Sequence, residues 1–93
     1  MTVGLCRIEL FIPDSGSLKG KRQIVKGLKD RIRSRFNVSV AEVDHLDLWQ
    51  RASVGVAIVA NDVQFIEMTL SQVLNLVRLD RRVEVLDYTI ERR

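Results

Sequence analysis

The sequence predicts an α+β domain whose elements follow in the order strand, helix, strand, strand, helix, strand. Polar and apolar residues alternate in 2–12 and 38–43, and 53–60 is rich in small and β-branched residues. Apolar residues recur at intervals of three and four in 24–36 and 63–77. The chain has 93 residues, of which 46% are hydrophobic and 29% charged, a composition typical of a single globular domain. We therefore expect one domain over residues 1–93, with a mainly antiparallel sheet.

The first strand and the first helix are indicated by alternation and by turn residues. Residues 2–12 alternate in polarity, and the strand ends at Pro13. Ser17 is a plausible N-cap for a helix whose last apolar position is Phe36, since its hydroxyl can accept a hydrogen bond from a free backbone amide. Asn37 is expected to end the helix in a left-handed conformation.

The rest of the chain indicates three more strands and a second helix. Residues 38–43 alternate as a second strand, 44–50 form a polar loop, and 53–60 are rich in small and β-branched residues, which suits an inner strand. A second helix opens at Asp62, and a last strand spans 83–90. This order predicts the ferredoxin-like split βαβ fold, a four-stranded antiparallel sheet with both helices on one face.

Positive charge is concentrated in the first helix. Between Lys19 and Arg35 lie eight of the fifteen Lys and Arg residues, with Asp30 as the only acid, although the net charge of the chain is only +3. Such a local field attracts a polyanion. Four of these cations are spaced four, three and four residues apart and form one row on the helix, called here the basic stripe: Arg22, Lys26, Lys29 and Arg33.

The basic stripe is either a surface that binds a polyanion or an ordinary solvated helix face. Like charges four residues apart repel by about 0.2–0.5 kcal/mol per pair, which favours a binding role over an ordinary solvated helix face. Acids from elsewhere in the chain could instead fold back and neutralise part of the stripe. The polyanion reading leads us to expect phosphate contacts along the helix.

Residues around the helix start and the loop extend this candidate site. Ser15 and Ser17 precede a helix N-terminus, where free amides attract phosphate. Trp49 stacks on a base or anchors a protein contact, with Arg51 holding a phosphate, or it packs over the end of the core. The complete set of predicted RNA or phosphate contacts is Ser15, Ser17, Lys19, Lys21, Arg22, Lys26, Lys29, Arg33, Trp49 and Arg51.

The sequence favours binding over catalysis. His45 is the only histidine, so no Ser, His and Asp constellation can form, and no phosphate-cradling loop with a matching Arg and Asn is found. Asp44, His45 and Asp47 are weak candidates for metal ligands. Residues 51–60 lack aromatic side chains, which disfavours base stacking on the sheet. We expect no catalytic residue, no cofactor and no metal site.

Cellular location is inferred from the apolar runs. The longest, 54–60, is far too short to cross a bilayer, and the N-terminal apolar stretch is interrupted by Arg7 and Glu9. We therefore expect a cytoplasmic protein that does not enter a membrane. Cys6 alternates with apolar neighbours and is expected to be a small core residue.

The chain resembles the YlxP-like proteins, a family of small bacterial proteins. The resemblance rests on the segment 37–52 (NVSVAEVDHLDLWQRA), with support from Ser17-Leu18-Lys19, from 56–62 and from 83–88. It implies a ferredoxin-like fold. Through the usual association of the family with translation and ribosome-maturation genes, it also implies a role linked to the ribosome, and it supplies no catalytic residues.

The sequence therefore predicts a non-enzymatic protein that binds structured RNA or a ribosomal subunit, such as a ribosome-maturation factor. The alternative is a ligand-sensing or protein-interaction module that forms a homodimer through the open face of its sheet. In that case Leu5, Phe11 and Val85 would provide apolar contacts.

Overall fold

The fold is that predicted from the sequence. The computed structural model describes all residues 1–93, and its strands form one antiparallel sheet in the order β2-β3-β1-β4, with both helices packed on one face. Neither helix is long and apolar enough to cross a membrane. The elements are β1 (Thr2–Phe11), α1 (Leu18–Arg35), β2 (Ser39–Asp44), β3 (Arg51–Ala60), α2 (Val63–Arg78) and β4 (Glu84–Arg92).

The start of α1 agrees with the prediction, and its end does not. Ser17 is its N-cap, as expected: the Ser17 hydroxyl accepts a hydrogen bond of 3.0 Å from the Gly20 amide. At the other end, the prediction of a left-handed Asn37 was wrong. Phe36 instead turns directly into extended backbone, with φ of −132°, and its side chain packs against the core. The non-glycine residue with a positive φ is His45, at 61°, in the β2–β3 loop.

The core lies between the sheet and the helices. Alternate residues of β1, among them Cys6 and Ile8, are buried there. Cys6 is 2% exposed, and burial raises the pKa of its thiol to about 11, so it is a protonated core residue, as predicted. A Cβ on Gly4 would overlap Ile66 of α2 and approach Leu70. Glycine at this position therefore allows α2 to lie close to β1.

The other face of the sheet has no helix over it. A groove of about 460 Å³ runs along it, with Gly55 and Ala57 of β3 at its floor and Leu5 and Val43 at its sides. A Cβ on Gly55 would lie 3.0 Å from Val43, so the groove depends on the small residues of this inner strand. Val85, predicted for this face, lies instead opposite Leu10 and packs against the core, because directly paired residues share a face.

Candidate functional site

The basic stripe lies along the side of α1 that faces β2. The buried side of this helix contains Val25, Leu28 and Ile32, so the stripe runs beside the apolar face, as its spacing predicted. At the C-terminal end of the stripe, the Arg33 guanidinium donates a hydrogen bond of 3.0 Å to the carbonyl of Val40 on β2. The stripe therefore borders the free edge of the sheet.

One acid neutralises half of the stripe. The Asp30 carboxylate lies 3.1 Å from Lys26 Nζ and 3.5 Å from an Arg33 guanidinium nitrogen. The side chains in both pairs are about half exposed or more, and such ion pairs contribute only about 0–1 kcal/mol, so an incoming phosphate can compete with them. The acid that covers the stripe is the helix's own and does not come from another element.

Three cations of the predicted site have no acid within 4.0 Å: Lys19, Arg22 and Lys29. Lys19 and Arg22 are exposed and Lys29 is half-buried. Lys19 and Arg22 lie close to the positive N-terminal end of α1, and Lys29 lies past the middle of the helix. Unneutralised charge therefore lies at the N-terminal end of the helix and again at Lys29.

Lys21 has a different role from the one predicted. Its side chain is fully buried, and its ammonium group bonds to acceptors of the protein itself, so the prediction of a phosphate contact is corrected. The signal was present in the sequence: Lys21 is spaced four, seven and eleven residues before Val25, Leu28 and Ile32, on the apolar face. Its Nζ lies 2.8 Å from Glu42 Oε2 and within 2.9–3.4 Å of the carbonyl oxygens of His45, Leu46 and Arg51.

Ser15 and Ser17 shape the turn before α1. Ser15 is buried, and its hydroxyl donates a hydrogen bond of 3.0 Å to the carbonyl of Ser17, so this hydroxyl is not free for the phosphate contact predicted for Ser15. The Ser17 hydroxyl is exposed, but as the N-cap it is engaged by the Gly20 amide. Both hydroxyls therefore fix the start of the helix.

The β2–β3 loop is fastened beside this turn. The Ile12 amide donates to the carbonyl of Gln50 at 2.8 Å, and the Gln50 side chain donates to the carbonyl of Pro13 at 3.0 Å. Trp49, next to Gln50, is 56% exposed, so it does not pack over the core. Leu46 and Leu48 are exposed beside it. The loop thus holds an apolar, aromatic surface close to the N-terminus of α1.

Arg51 is separated from the basic stripe by the sheet. It pairs with Phe11 across the strands and shares the open face with Ser53, whereas α1 lies on the other face. One terminal nitrogen of its guanidinium is 3.9 Å from a Glu9 oxygen, and its Nε is buried without a hydrogen-bond partner. Arg51 therefore does not join the cations of α1 in a single site.

Glu9 is the centre of a polar cluster on the open face. It accepts a hydrogen bond from the Ser53 hydroxyl and one of 2.8 Å from Arg7, and His45 Nε2 lies 3.7 Å away. Arg7 also reaches Asp44 at 3.1 Å. The alternation of β1 puts Arg7 and Glu9 on one face, but the cluster was not predicted, because its other members come from β2, β3 and the loop.

The cluster holds its carboxylates ionised. Burial alone would raise the pKa of Glu9, but hydrogen bonds from Ser53 and Arg7 hold that pKa below its usual value. The pKa of Asp44 is lowered chiefly by the hydrogen bond from the His45 amide, with further help from the hydrogen bond and the charge of Arg7. These groups are mutually satisfied, so the cluster stabilises the loop end of the sheet.

A second group of charges, also missed in the sequence, lies on the other side of α1. Asp80 is buried, and its carboxylate bonds to Arg82 at 2.8 Å and to Arg31 at 3.2 Å. The Arg82 guanidinium lies 3.7 Å from where a Cβ on Gly27 would be, so it packs on the helix. The pKa of Asp80 is lowered, first by the side-chain hydrogen bond from Arg82.

The candidate site offers cations and an aromatic ring for contacts with a ligand. No three His, Cys, Asp or Glu side chains converge as metal ligands do. The free cations and the exposed indole are instead suited to contacting phosphates and an aromatic base.

Comparison with known proteins places the chain in a family. A family model described as "Protein of unknown function (DUF503)" matches residues 3–90. The "Uncharacterized protein YlxP" of Bacillus subtilis (strain 168) is 40% identical over 72 residues, which cover 77% of this chain and 78% of that protein. The "De novo designed protein Foldit4" has a TM-score of 0.55 at 14% identity, covering 100% of this chain and 97% of its own, which shows similarity of fold alone. The chain therefore belongs to the DUF503 family, the family of YlxP, as its resemblance to the YlxP-like proteins implied.

Proposed function

We propose that this protein is a non-enzymatic, cytoplasmic RNA-binding protein that contacts structured RNA or a ribosomal subunit through α1, as a ribosome-maturation factor would. The observation that supports this most directly is the group of unpaired cations Lys19, Arg22 and Lys29. A merely solvated helix would be expected to intersperse acids among such charges. Only Asp30 does so here.

The binding surface has two parts. Phosphates would contact the free cations first and then Lys26 and Arg33, once they leave Asp30. Trp49 would stack on an unpaired base, because its exposed indole lies in a loop that is fastened next to the start of α1. Shape and phosphate spacing would select the RNA, since helix cations carry no base code.

Binding should be tested by co-sedimentation with separated ribosomal subunits and with bulk ribosomal RNA across a salt series. If about four phosphates are contacted, log affinity should fall with log salt with a slope of roughly −3. Saturable binding to one subunit, tighter than binding to free RNA, is the expected result. Absence of binding even at low salt would refute the proposal.

A matched pair of variants tests the location of the site. The double change Arg22→Glu and Lys29→Glu reverses two free cations of the stripe and should abolish binding. The control, Arg35→Glu with Arg78→Glu, makes the same change in net charge at exposed positions off the stripe and should retain most of the affinity. Equal losses in both would show that only total charge matters.

The groove on the open sheet face favours a second candidate function, a ligand-sensing or protein-interaction module. Its floor of Gly55 and Ala57 leaves space for a small apolar group between Leu5 and Val43. The dye 8-anilinonaphthalene-1-sulfonate should fluoresce with the folded protein and lose that signal in Ala57→Phe, which fills the groove. A signal unchanged by Ala57→Phe would argue against this site.

A further inference from the structure

The outer edge of β4 is unpaired along its whole length. β4 is the last strand of the sheet and pairs only with β1. It has nine residues, which is long for an unprotected edge, since proteins usually shorten or blunt such strands to prevent pairing with another chain. The opposite edge, β2, has six residues, an irregular register near Asp44 and a carbonyl engaged by Arg33.

The outward backbone groups of β4 can be assigned from the ladder. Val3 and Arg93 exchange both of their backbone hydrogen bonds, at 2.7 Å each. Because such pairs alternate in an antiparallel ladder, the amides and carbonyls of Tyr88, Ile90 and Arg92 point away from β1. In agreement, the Tyr88 amide donates to the carboxylate of its neighbour Asp87 at 2.8 Å and not to β1. These outward groups are available to a further strand.

The side chains of the same residues are incompletely covered. Tyr88 and Ile90 lie on the helix side of the sheet and are 42% and 38% exposed, because α2 does not reach over the edge. The Arg78 guanidinium lies over the Tyr88 ring, 5.4 Å from its centroid. The edge therefore offers apolar contacts together with free hydrogen-bonding groups.

We propose that two copies of this chain pair antiparallel through β4, with the two-fold axis at Ile90, to form one continuous sheet of twice the width. In this register Tyr88 lies opposite Arg92 of the second copy, and Asp87 lies opposite Arg93 of the second copy. The first of these pairs brings an aromatic ring and a cation together, and the second brings opposite charges together. On pairing, the Asp87 carboxylate would give up its hydrogen bond from the Tyr88 amide and accept one from Arg93 of the second copy.

Neighbouring registers are disfavoured by the same charges. With the two-fold axis at Thr89, Asp87 would lie opposite Glu91 of the second copy. With the axis at Glu91, the two copies of Glu91 would lie opposite each other. Both registers therefore place like charges together. With the axis at Tyr88, the paired segment would include the irregular part of β4 next to Asp87, where its register against β1 shifts. Only the axis at Ile90 uses the regular segment 87–93 without repulsion.

The paired arrangement fixes the relation between the two domains. Residues directly opposite each other share a face, so the helices of both copies lie on the same side of the joined sheet. The two basic stripes then lie at its outer ends, because α1 borders β2 and not β4. The dimer is independent of the proposed RNA binding, since it uses the opposite edge of the sheet.

The test is sedimentation equilibrium of the full chain from low micromolar to near-millimolar concentration. A strand-to-strand contact covers less than the roughly 800 Å² per partner of a standard interface, so we expect a dimer with a micromolar dissociation constant. Asp87→Arg should raise that constant about tenfold or more, by placing two arginines together. Combining it with Arg93→Asp should restore the dimer.

Two further variants locate the contact. Ile90→Lys, at the axis, should abolish the dimer, whereas Val59→Lys, an equal change at an exposed position on β3, should not. Circular dichroism checks that each variant is folded. A wild type that is monomeric at every concentration would overturn the proposal, as would a dimer that resists Ile90→Lys and is broken by Ala57→Phe on the open face.

Discussion

Lys21 Nζ lies 2.8 Å from Glu42 Oε2 inside the domain, and the ammonium group also reaches three carbonyls at the two ends of the β2–β3 loop. The Lys21 side chain is fully buried and that of Glu42 is 11% exposed. Helix α1 is thereby joined to the loop that presents Trp49. A residue in the most basic segment of the chain thus positions the loop and does not bind a partner directly.

Replacing Lys21 by Met should destabilise the protein by about 3–5 kcal/mol, because the largely buried Glu42 carboxylate and the loop carbonyls lose their donor. The free energy of unfolding is measured by urea titration. Lys19→Met removes the same charge at an exposed position two residues away and should change stability by no more than about 0.5 kcal/mol. A stability loss shared equally by both variants would contradict this role for Lys21.

Replacing Asp30 by Asn should increase RNA affinity several-fold, since it releases Lys26 and Arg33 from their ion pairs. The slope of log affinity against log salt should steepen by roughly 0.7–0.9 for each additional phosphate contact. Filter binding across a salt series measures both quantities. Glu84→Gln, which removes an acid on the far edge of the sheet, should leave affinity and slope nearly unchanged, and an equal gain there would indicate a general charge effect.

Trp49 should matter for RNA binding and little for stability. With 56% of the residue exposed, Trp49→Ala should change the unfolding free energy by less than about 1 kcal/mol, whereas a lost stack costs roughly 1–3 kcal/mol of binding. Since this is the only tryptophan, quenching of its fluorescence by RNA reports the contact directly. Trp49→Phe should keep part of the affinity; unquenched fluorescence at saturating RNA would rule the stack out.

Acid should weaken the fold through Asp80. Its folded-state pKa is below the usual value of about 3.9, so its contribution is complete above that pH and is lost as pH falls through the lower, folded-state pKa. Asp80→Asn should cost about 1.5–3 kcal/mol near neutral pH, because its hydrogen bonds to Arg82 and Arg31 are charge-assisted.

Urea midpoints measured from pH 6 down to pH 2.5 test this. The difference between the wild type and Asp80→Asn should be constant at the upper end and shrink at the lower end. Asp14→Asn, an exposed acid with no ion pair, serves as the control and should follow the wild type throughout. A difference that stayed constant down to the lowest pH would contradict the assignment.

Most of the fold could be predicted from the chain because local signals agreed with one another. Apolar periods of two and of three to four distinguish strands from helices, and Ser17 marked the start of α1 correctly. The end of α1 was predicted wrongly, because Phe36 is drawn into the core and sets extended backbone before Asn37 is reached. Long-range packing prevailed there over a local turn preference.

The candidate site was predicted less completely. The stripe itself follows from the helical period. The same period places Lys21 on the apolar face, but Lys21 was predicted as a phosphate contact, and its burial was missed. The effect of Asp30 was also local, three and four residues from its partners. By contrast, the Glu9 cluster and the placement of Arg82 against Gly27 depend on residues far apart in the chain.

The sequence by itself determined the element order, the buried faces and the concentration of positive charge on α1, because periodicity and charge spacing are properties of neighbouring residues. Only the tertiary structure decided which charges remain free. It buried Lys21 against Glu42, put Arg51 on the opposite face of the sheet, and left Trp49 and the β4 edge exposed. The role of a charged or aromatic side chain depends on which groups lie within a few ångströms of it. Packing and strand pairing determine which groups those are.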